Sequence, residues 1–155
     1  MNEWTPRLTA LALLILANTA PWVAGRILGS RGAAPLDFGA TLADGSRLLG
    51  DHKTWRGLIA GALVCGLATQ WLGRGWLLGV AFGALSLVAD AATSCAKRRL
   101  RRAPGTEIPA LDQLPEALLP LLVLARPLAL GLPEALALAS VFLVLDLAVM
   151  RVRQA

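Results

Sequence analysis

Residues 75–102 read GWLLGVAFGALSLVADAATSCAKRRLRR, and this stretch decides the fold. From Gly75 to Ala92 it is apolar apart from Ser86 and Asp90. About 20 such residues cross the hydrocarbon core of a bilayer as a helix. Asp90 lies near the inner end of that span, where a carboxylate costs roughly 3 kcal/mol unless something compensates it. Ser94, Lys97, Arg98, Arg99, Arg101 and Arg102 follow at once, and then Asp112. An acid, a dense cation cluster and a second acid at a membrane surface suit a divalent metal and a polyphosphate.

The rest of the chain has the same character. Of its 155 residues 56% are hydrophobic, with a mean hydropathy of +0.62 and no Tyr, which is too apolar for a soluble domain. The apolar residues fall in blocks, and five spans can be drawn, at about 8–28, 58–72, 76–94, 117–130 and 133–150. They predict one all-α integral membrane domain over residues 1–155, with two long loops at about 29–57 and 95–116. No signal-peptide cleavage pattern stands out, so the first block is expected to remain as a span. Asn18 and Pro21 in its second half predict a kink or break there. The second and fourth spans are short for a bilayer, and Arg126-Pro127 interrupts the fourth.

The net charge of +5 raises nucleic acid as a partner, but the cations lie between apolar blocks. No aromatic residues interleave with them for base stacking, so nucleic acid is set aside. Their positions instead orient the chain. Twelve of the fifteen lie in or beside the two long loops and the C-terminus, while Arg7 and Arg74 lie opposite and Arg126 is within a span. The N-terminus is therefore expected outside, with both loops and the C-terminus cytoplasmic in a multi-pass cell-membrane protein. Trp4, Trp71 and Trp76 then mark the outer interface and Trp55 the inner. Cys65 and Cys95 form neither a disulfide framework nor a thiolate metal site and read as small core residues.

Two readings compete at each polar cluster. Asp90 and Asp112 could bind Mg²⁺, which favours a few hard oxygens together with phosphates. Alternatively Asp90 pairs only with Lys97 or Arg98 at the helix end. The run Lys97–Arg102 could grip phosphate, or anchor the chain to anionic headgroups. Gly50-x-x-Lys53-Thr54-x-Arg56-Gly57 opens the second span, where a helix N-terminus and its Lys, Thr and Arg could hold an anion; it is not a Walker A motif. Asp37 is the best third acid, or else a turn carboxylate capping local N–H groups. Asn18 could line a cavity. His52 has no partners at zinc spacing and reads as a polar loop residue. Asp146 and Arg126 lie at opposite depths of the last hairpin, and each is expected to snorkel to its nearer interface.

Five elements in order resemble the CDP-archaeol synthase family of five-span membrane cytidylyltransferases. They are Ala17-Asn18-x-x-Pro21, Pro35-Leu36-Asp37-x-Gly39, the Gly50–Gly57 element, Asp90-x-x-x-Ser94-x-x-Lys97-Arg98-Arg99, and Gly105-x-x-x-Pro109-x-x-Asp112-Gln113. The Asp-Ser-Lys-Arg element also resembles that of CDP-diacylglycerol synthases. The resemblance implies Mg²⁺-dependent transfer of CMP from CTP to a lipid phosphate of the inner leaflet, giving a CDP-activated lipid, of archaeol or diacylglycerol type, and pyrophosphate. It implies Asp90 and Asp112 at the metal, and Asp90, Asp112 and Lys97 as the catalytic set. Lys53, Thr54, Arg56, Ser94, Lys97 and Arg98 would surround the nucleotide and its phosphates, with Asn18 and Asp37 beside them. CTP, the lipid phosphate and membrane lipids are the expected partners, and a homodimer is carried as an expectation with no interface assigned.

The chain departs from the family pattern at two places. The family usually reads Asp-Gln-Leu-Asp-Phe where this chain has Asp112-Gln113-Leu114-Pro115-Glu116, and Gly-Asp where it has Ala89-Asp90. Glu116 comes one residue late, and on a helix it would point about 100° from the missing acid. The alternative reading is therefore a membrane homologue that binds nucleotide or lipid without turnover. A transporter is disfavoured because the spans show no repeat symmetry.

Overall fold

A computed structural model describes residues 4–45, 47–100 and 109–154, the side chains of residues 109–111, 150 and 152–154 excepted. Six helices occur among them: α1 (Trp4–Leu28), α2 (Trp55–Trp71), α3 (Trp76–Arg99), α4 (Pro109–Val123), the short α5 (Ala125–Leu128) and α6 (Leu132–Gln154). There is no named strand among the described residues, only the isolated bridges Pro35–Thr54 and Thr41–Arg47 in the loop before α2. Helices α1, α3 and the segment Leu132–Val149 of α6 are long and apolar enough to cross a membrane. Helix α2 has 17 residues, about 25 Å of rise, and α4 has 15. Both fall short of the roughly 30 Å hydrocarbon core.

The helices pack as a ring. Helix α1 lies against α2, α3 and α6, α2 against α3, α3 against α4, and α4 against α6. Ala10, Leu13, Leu14 and Ala17 of α1 recur every three or four residues and so share one face, which meets Phe82, Ala117, Leu121, Ala135, Ala139 and Phe142 in the core. The outward faces are apolar too: Leu8, Ile15, Leu63, Leu67, Leu77, Val88 and Val144 are exposed, as lipid contact requires.

Small residues set the α2–α3 distance. A Cβ added to Gly83 would lie 2.6 Å from the Gly61 carbonyl oxygen, and one added to Gly79 would overlap the Cys65 carbonyl. This is the close backbone approach that small-xxx-small spacing permits between membrane helices. Thr69 bridges the same seam, donating to the Cys65 carbonyl at 3.2 Å and accepting the Gly79 N–H at 3.1 Å. Far from the long loop, the first turns of α1 and α6 are joined by Arg7 Nη2 and Glu134 Oε1 at 2.6 Å, and Arg7 also lies over the Trp4 ring.

Three expectations change. Helix α1 runs unbroken through Pro21. The second loop is much shorter than 95–116, because α3 continues to Arg99 and α4 begins at Pro109. Lys97 and Arg98 are therefore helical, as Ser94 was expected to be, and Asp112 stands in the first turn of α4 rather than on a loop. Arg101, Arg102, Pro104 and Gly105 lie outside the described residues. The fourth span divides into α4 and α5, with Arg126-Pro127 inside α5 and Ala129 left-handed at φ +55° after it.

Candidate active site

A cavity of about 250 Å³ opens where the loop before α2 meets the helix ends. Its wall comes from α1 (Asn18, Pro21, Trp22), the loop (Leu36, His52, Lys53, Thr54), α2 (Gly57, Leu58), α3 (Leu87, Asp90) and α4 (Glu116). Thr54 is extended and accepts the Gly57 N–H at 3.2 Å, which caps α2 and points the first turn of that helix at the cavity.

The charges are largely withdrawn from solvent and paired, as burial demands. Lys53 Nζ forms an ion pair with Asp90 Oδ2, with side chains 24% and 23% exposed. Lys97 Nζ pairs with Asp112 Oδ1 at 2.7 Å, with side chains 18% and 17% exposed. Asn18 Nδ2 donates to Glu116 Oε1 at 2.9 Å, and Gln113 donates to Asp146 on α6. The first turns of α4 thereby hold α3, α1 and α6 together.

Of the residues singled out from sequence, Asn18, Lys53, Thr54 and Asp90 meet in the cavity wall. Asp112 and Lys97 form a second pair, and Asp112 lies one helical turn before the wall residue Glu116. Ser94 is buried on α3, one turn beyond Asp90. Arg98 packs on the loop: a Cβ on Gly50, at φ +95°, would come within 2.8 Å of its Nη2. Arg56 is directed elsewhere, donating to the carbonyls of Gly29 (2.7 Å) and Arg31 (2.8 Å), where it secures the chain leaving α1.

Asp37 organises the loop instead of lining the cavity. It accepts from Arg47 Nη2 at 2.9 Å and from the backbone N–H groups of Leu49 (2.9 Å) and Gly39 (3.1 Å). Burial alone would raise its pKa, but these donors outweigh burial and hold the carboxyl down at about 2.

Two further sequence readings are corrected and two are extended. Asp90 pairs with Lys53 of the loop, not with its own helix end at Lys97 or Arg98. His52 is the polar loop residue expected, and it also lines the cavity. Asp146 takes a hydrogen bond from Gln113 instead of snorkelling outward. Glu116 faces the site, because four residues after Asp112 it returns to nearly the same helix face, while Pro115 turns to an apolar groove against α3.

Among the described residues no group of three or more His, Cys, Asp or Glu side chains is placed to hold an ion. The donor chemistry of Asp90 and Asp112 still fits Mg²⁺, which takes one or two carboxylates and completes its shell with water and phosphate oxygens.

The fold and site define a polytopic helical membrane protein with the Lys53–Asp90 pair in a cavity wall and a second lysine–carboxylate pair, Lys97–Asp112, between α3 and α4. Residues 8–78 match the family described as CarS-like: CDP-archaeol synthase. The CDP-archaeol synthase of Pyrococcus horikoshii is 37% identical over 124 residues, covering 73% of this chain and 69% of that protein. That of Aeropyrum pernix is 40% identical over 116 residues, covering 69% and 63%, and that of Methanopyrus kandleri 45% over 89 residues, covering 54% and 51%. The chain thus spans about half to three-fifths of the length of the latter two. A solved structure described as "Structural insight into an intramembrane enzyme for archaeal membrane lipids biosynthesis" matches with a TM-score of 0.74 and 34% identity, over 92% of this chain and 90% of that one. The chain belongs to the CDP-archaeol synthase family.

Proposed function

We propose that this protein transfers CMP from CTP to a lipid phosphate, giving a CDP-activated lipid of the archaeol type and pyrophosphate. The observation that carries this reading is the Lys53–Asp90 ion pair in the wall of the cavity where the loop before α2 meets the helix ends. A lysine and a carboxylate that neutralise each other at rest can exchange partners without leaving a buried charge bare. Lys53 turns to a phosphate oxygen of the nucleotide, and Asp90 becomes available to the cation that accompanies it. Lys97 and Asp112 repeat the arrangement on the next turns of α3 and α4. The relatives' names give no support to the diacylglycerol-type product.

In the reaction an oxygen of the lipid phosphate attacks the α-phosphorus of CTP, a new P–O bond forms, and the α–β bridging bond breaks as pyrophosphate departs. Asp90 and Asp112 would hold Mg²⁺, which would supply charge neutralisation at the phosphates. The chain's part is positioning and electrostatics: Lys53 and Lys97 hold phosphate oxygens, and Asn18 orients what enters beside α1. An apolar groove of about 480 Å³ between α3 and α4 lies directly behind this wall, since Ala89 and Pro115 line the groove while Asp90 and Glu116 line the cavity. It supports sideways approach of the lipid from the leaflet on the loop side, and the cation distribution favours the cytoplasmic leaflet for that side.

The test is purified protein with CTP, Mg²⁺ and a panel of ether- and ester-lipid phosphates. CDP-lipid and pyrophosphate should appear in equal amounts, and Asp90→Asn should abolish both. No CDP-lipid from any acceptor, or an Asp90→Asn variant as active as wild type, would refute the reading.

A further inference from the structure

We infer that Glu116 is a positioning residue of this site: its carboxylate fixes the amide of Asn18 and so sets which groups of that amide face the nucleotide. The inference rests on the cytidylyltransferase reading above. Glu116 is 6% exposed and lies in the cavity wall. A carboxylate withdrawn from water needs hydrogen-bond donors, and Asn18 Nδ2 supplies one at 2.9 Å across 98 residues of sequence.

Glu116 Oε1 is the acceptor of this bond, and an acceptor at that place selects one orientation of the amide. The nitrogen turns to α4, and the carbonyl oxygen and second N–H are left for the other directions. Asn18 is itself a wall residue, so these are the groups it offers a ligand. The two ends of an amide are nearly equal in size, and without Glu116 it could turn over at little steric cost. A nucleotide presents donors and acceptors in a fixed pattern. An inverted amide would therefore lose a bond and leave a buried polar group opposite one of its own kind. Glu116 acts on the ligand through Asn18, one turn beyond the Asp112 that holds Lys97.

The test compares Glu116→Ala, Glu116→Gln, Asn18→Ala and the double alanine variant in the full chain. Steady-state kinetics with CTP, Mg²⁺ and lipid phosphate are run beside calorimetric binding of Mg²⁺·CTP, with melting temperature as a check on folding. Glu116→Ala should raise KM and Kd for CTP by about tenfold, the equivalent of one lost hydrogen bond, with a smaller change in kcat. Glu116→Gln, which still offers an acceptor oxygen, should recover most of that loss. The double variant should be no worse than the worse single one.

Independent effects that multiply in the double variant would overturn the inference, as would a Glu116→Gln variant as impaired as Glu116→Ala. A wild type that binds Mg²⁺·CTP but makes no CDP-lipid would refute the cytidylyltransferase reading, while the four Kd values would still decide the role of Glu116. A wild type that does not bind Mg²⁺·CTP would refute both.

Discussion

Replacing Gly83 by alanine should loosen the α2–α3 seam and disturb the cavity from a distance. The added Cβ would stand 2.6 Å from the Gly61 carbonyl oxygen and 3.0 Å from Ala62 Cα, where ordinary contact begins at 3.4 Å. The seam must therefore open locally by about 0.8 Å, and the obstacle is backbone, which cannot rotate aside as a side chain can. Overpacking of this kind costs about 1–3 kcal/mol, and the better helix propensity of alanine offsets up to about 1 kcal/mol. A net loss of about 1–2 kcal/mol follows. Gly25→Ala is the control: its Cβ would meet Arg56 Nη2 at 3.5 Å, an ordinary contact, so only the propensity gain should remain. Unfolding in bicelles by SDS titration, followed by tryptophan fluorescence, measures both. Leu87 both contacts Gly61 and lines the cavity, so Gly83→Ala should also weaken Mg²⁺·CTP binding while Gly25→Ala does not. A Gly83→Ala variant as stable as wild type, or stabilised like Gly25→Ala, would refute the seam argument.

Lys53→Met should reduce CTP turnover by about 10²–10³-fold, the usual loss when a buried donor to developing charge is removed, and Lys53→Arg should retain part of the activity. Both are read as kcat and KM for CTP, and an unchanged rate in Lys53→Met would remove Lys53 from the phosphate site. Asp37→Asn should loosen the loop before α2, making it more accessible to protease at neutral pH, because charge-assisted bonds of about 1.5–3 kcal/mol are lost. The folded carboxyl sits at about 2, below its ordinary 3.8, so its stabilisation is complete above about pH 4 and is lost as pH falls through 2. Loop cleavage by an acid protease should accordingly rise toward pH 2 in wild type, and be nearly independent of pH in Asp37→Asn.

The helical membrane fold was legible because apolar block length is a strong signal, and α1, α3 and α6 are long enough to carry it alone. Helix ends were less legible. The cations after Asp90 looked like a loop, yet Lys97, Arg98 and Arg99 complete the last turn of α3, where positive charge favours the helix dipole. The partner of Asp90 could not be read locally, since Lys53 lies 37 residues away and the pairing depends on α2 packing against α3. That packing had a visible signal in the four-residue spacing of Gly79 and Gly83, with Gly61 opposite, which passes unnoticed inside a uniformly apolar run. The roles of Asp37 and Arg56 were hidden for another reason. A loop without regular structure must find donors and acceptors for its own backbone, and these two charges are used for that.

The Arg7–Glu134 contact has a consequence for how the chain is made. Its partners are 127 residues apart, so Arg7 emerges from the ribosome and enters the bilayer long before Glu134 exists. The Lys53–Asp90 pair can form once three helices are present, and Lys97–Asp112 once the fourth begins. The order of synthesis therefore assembles the cavity first and fastens the ring last. Until α6 arrives, the nascent protein is an open arc whose α1 edge and unsatisfied arginine are the surfaces an insertion factor would need to shield.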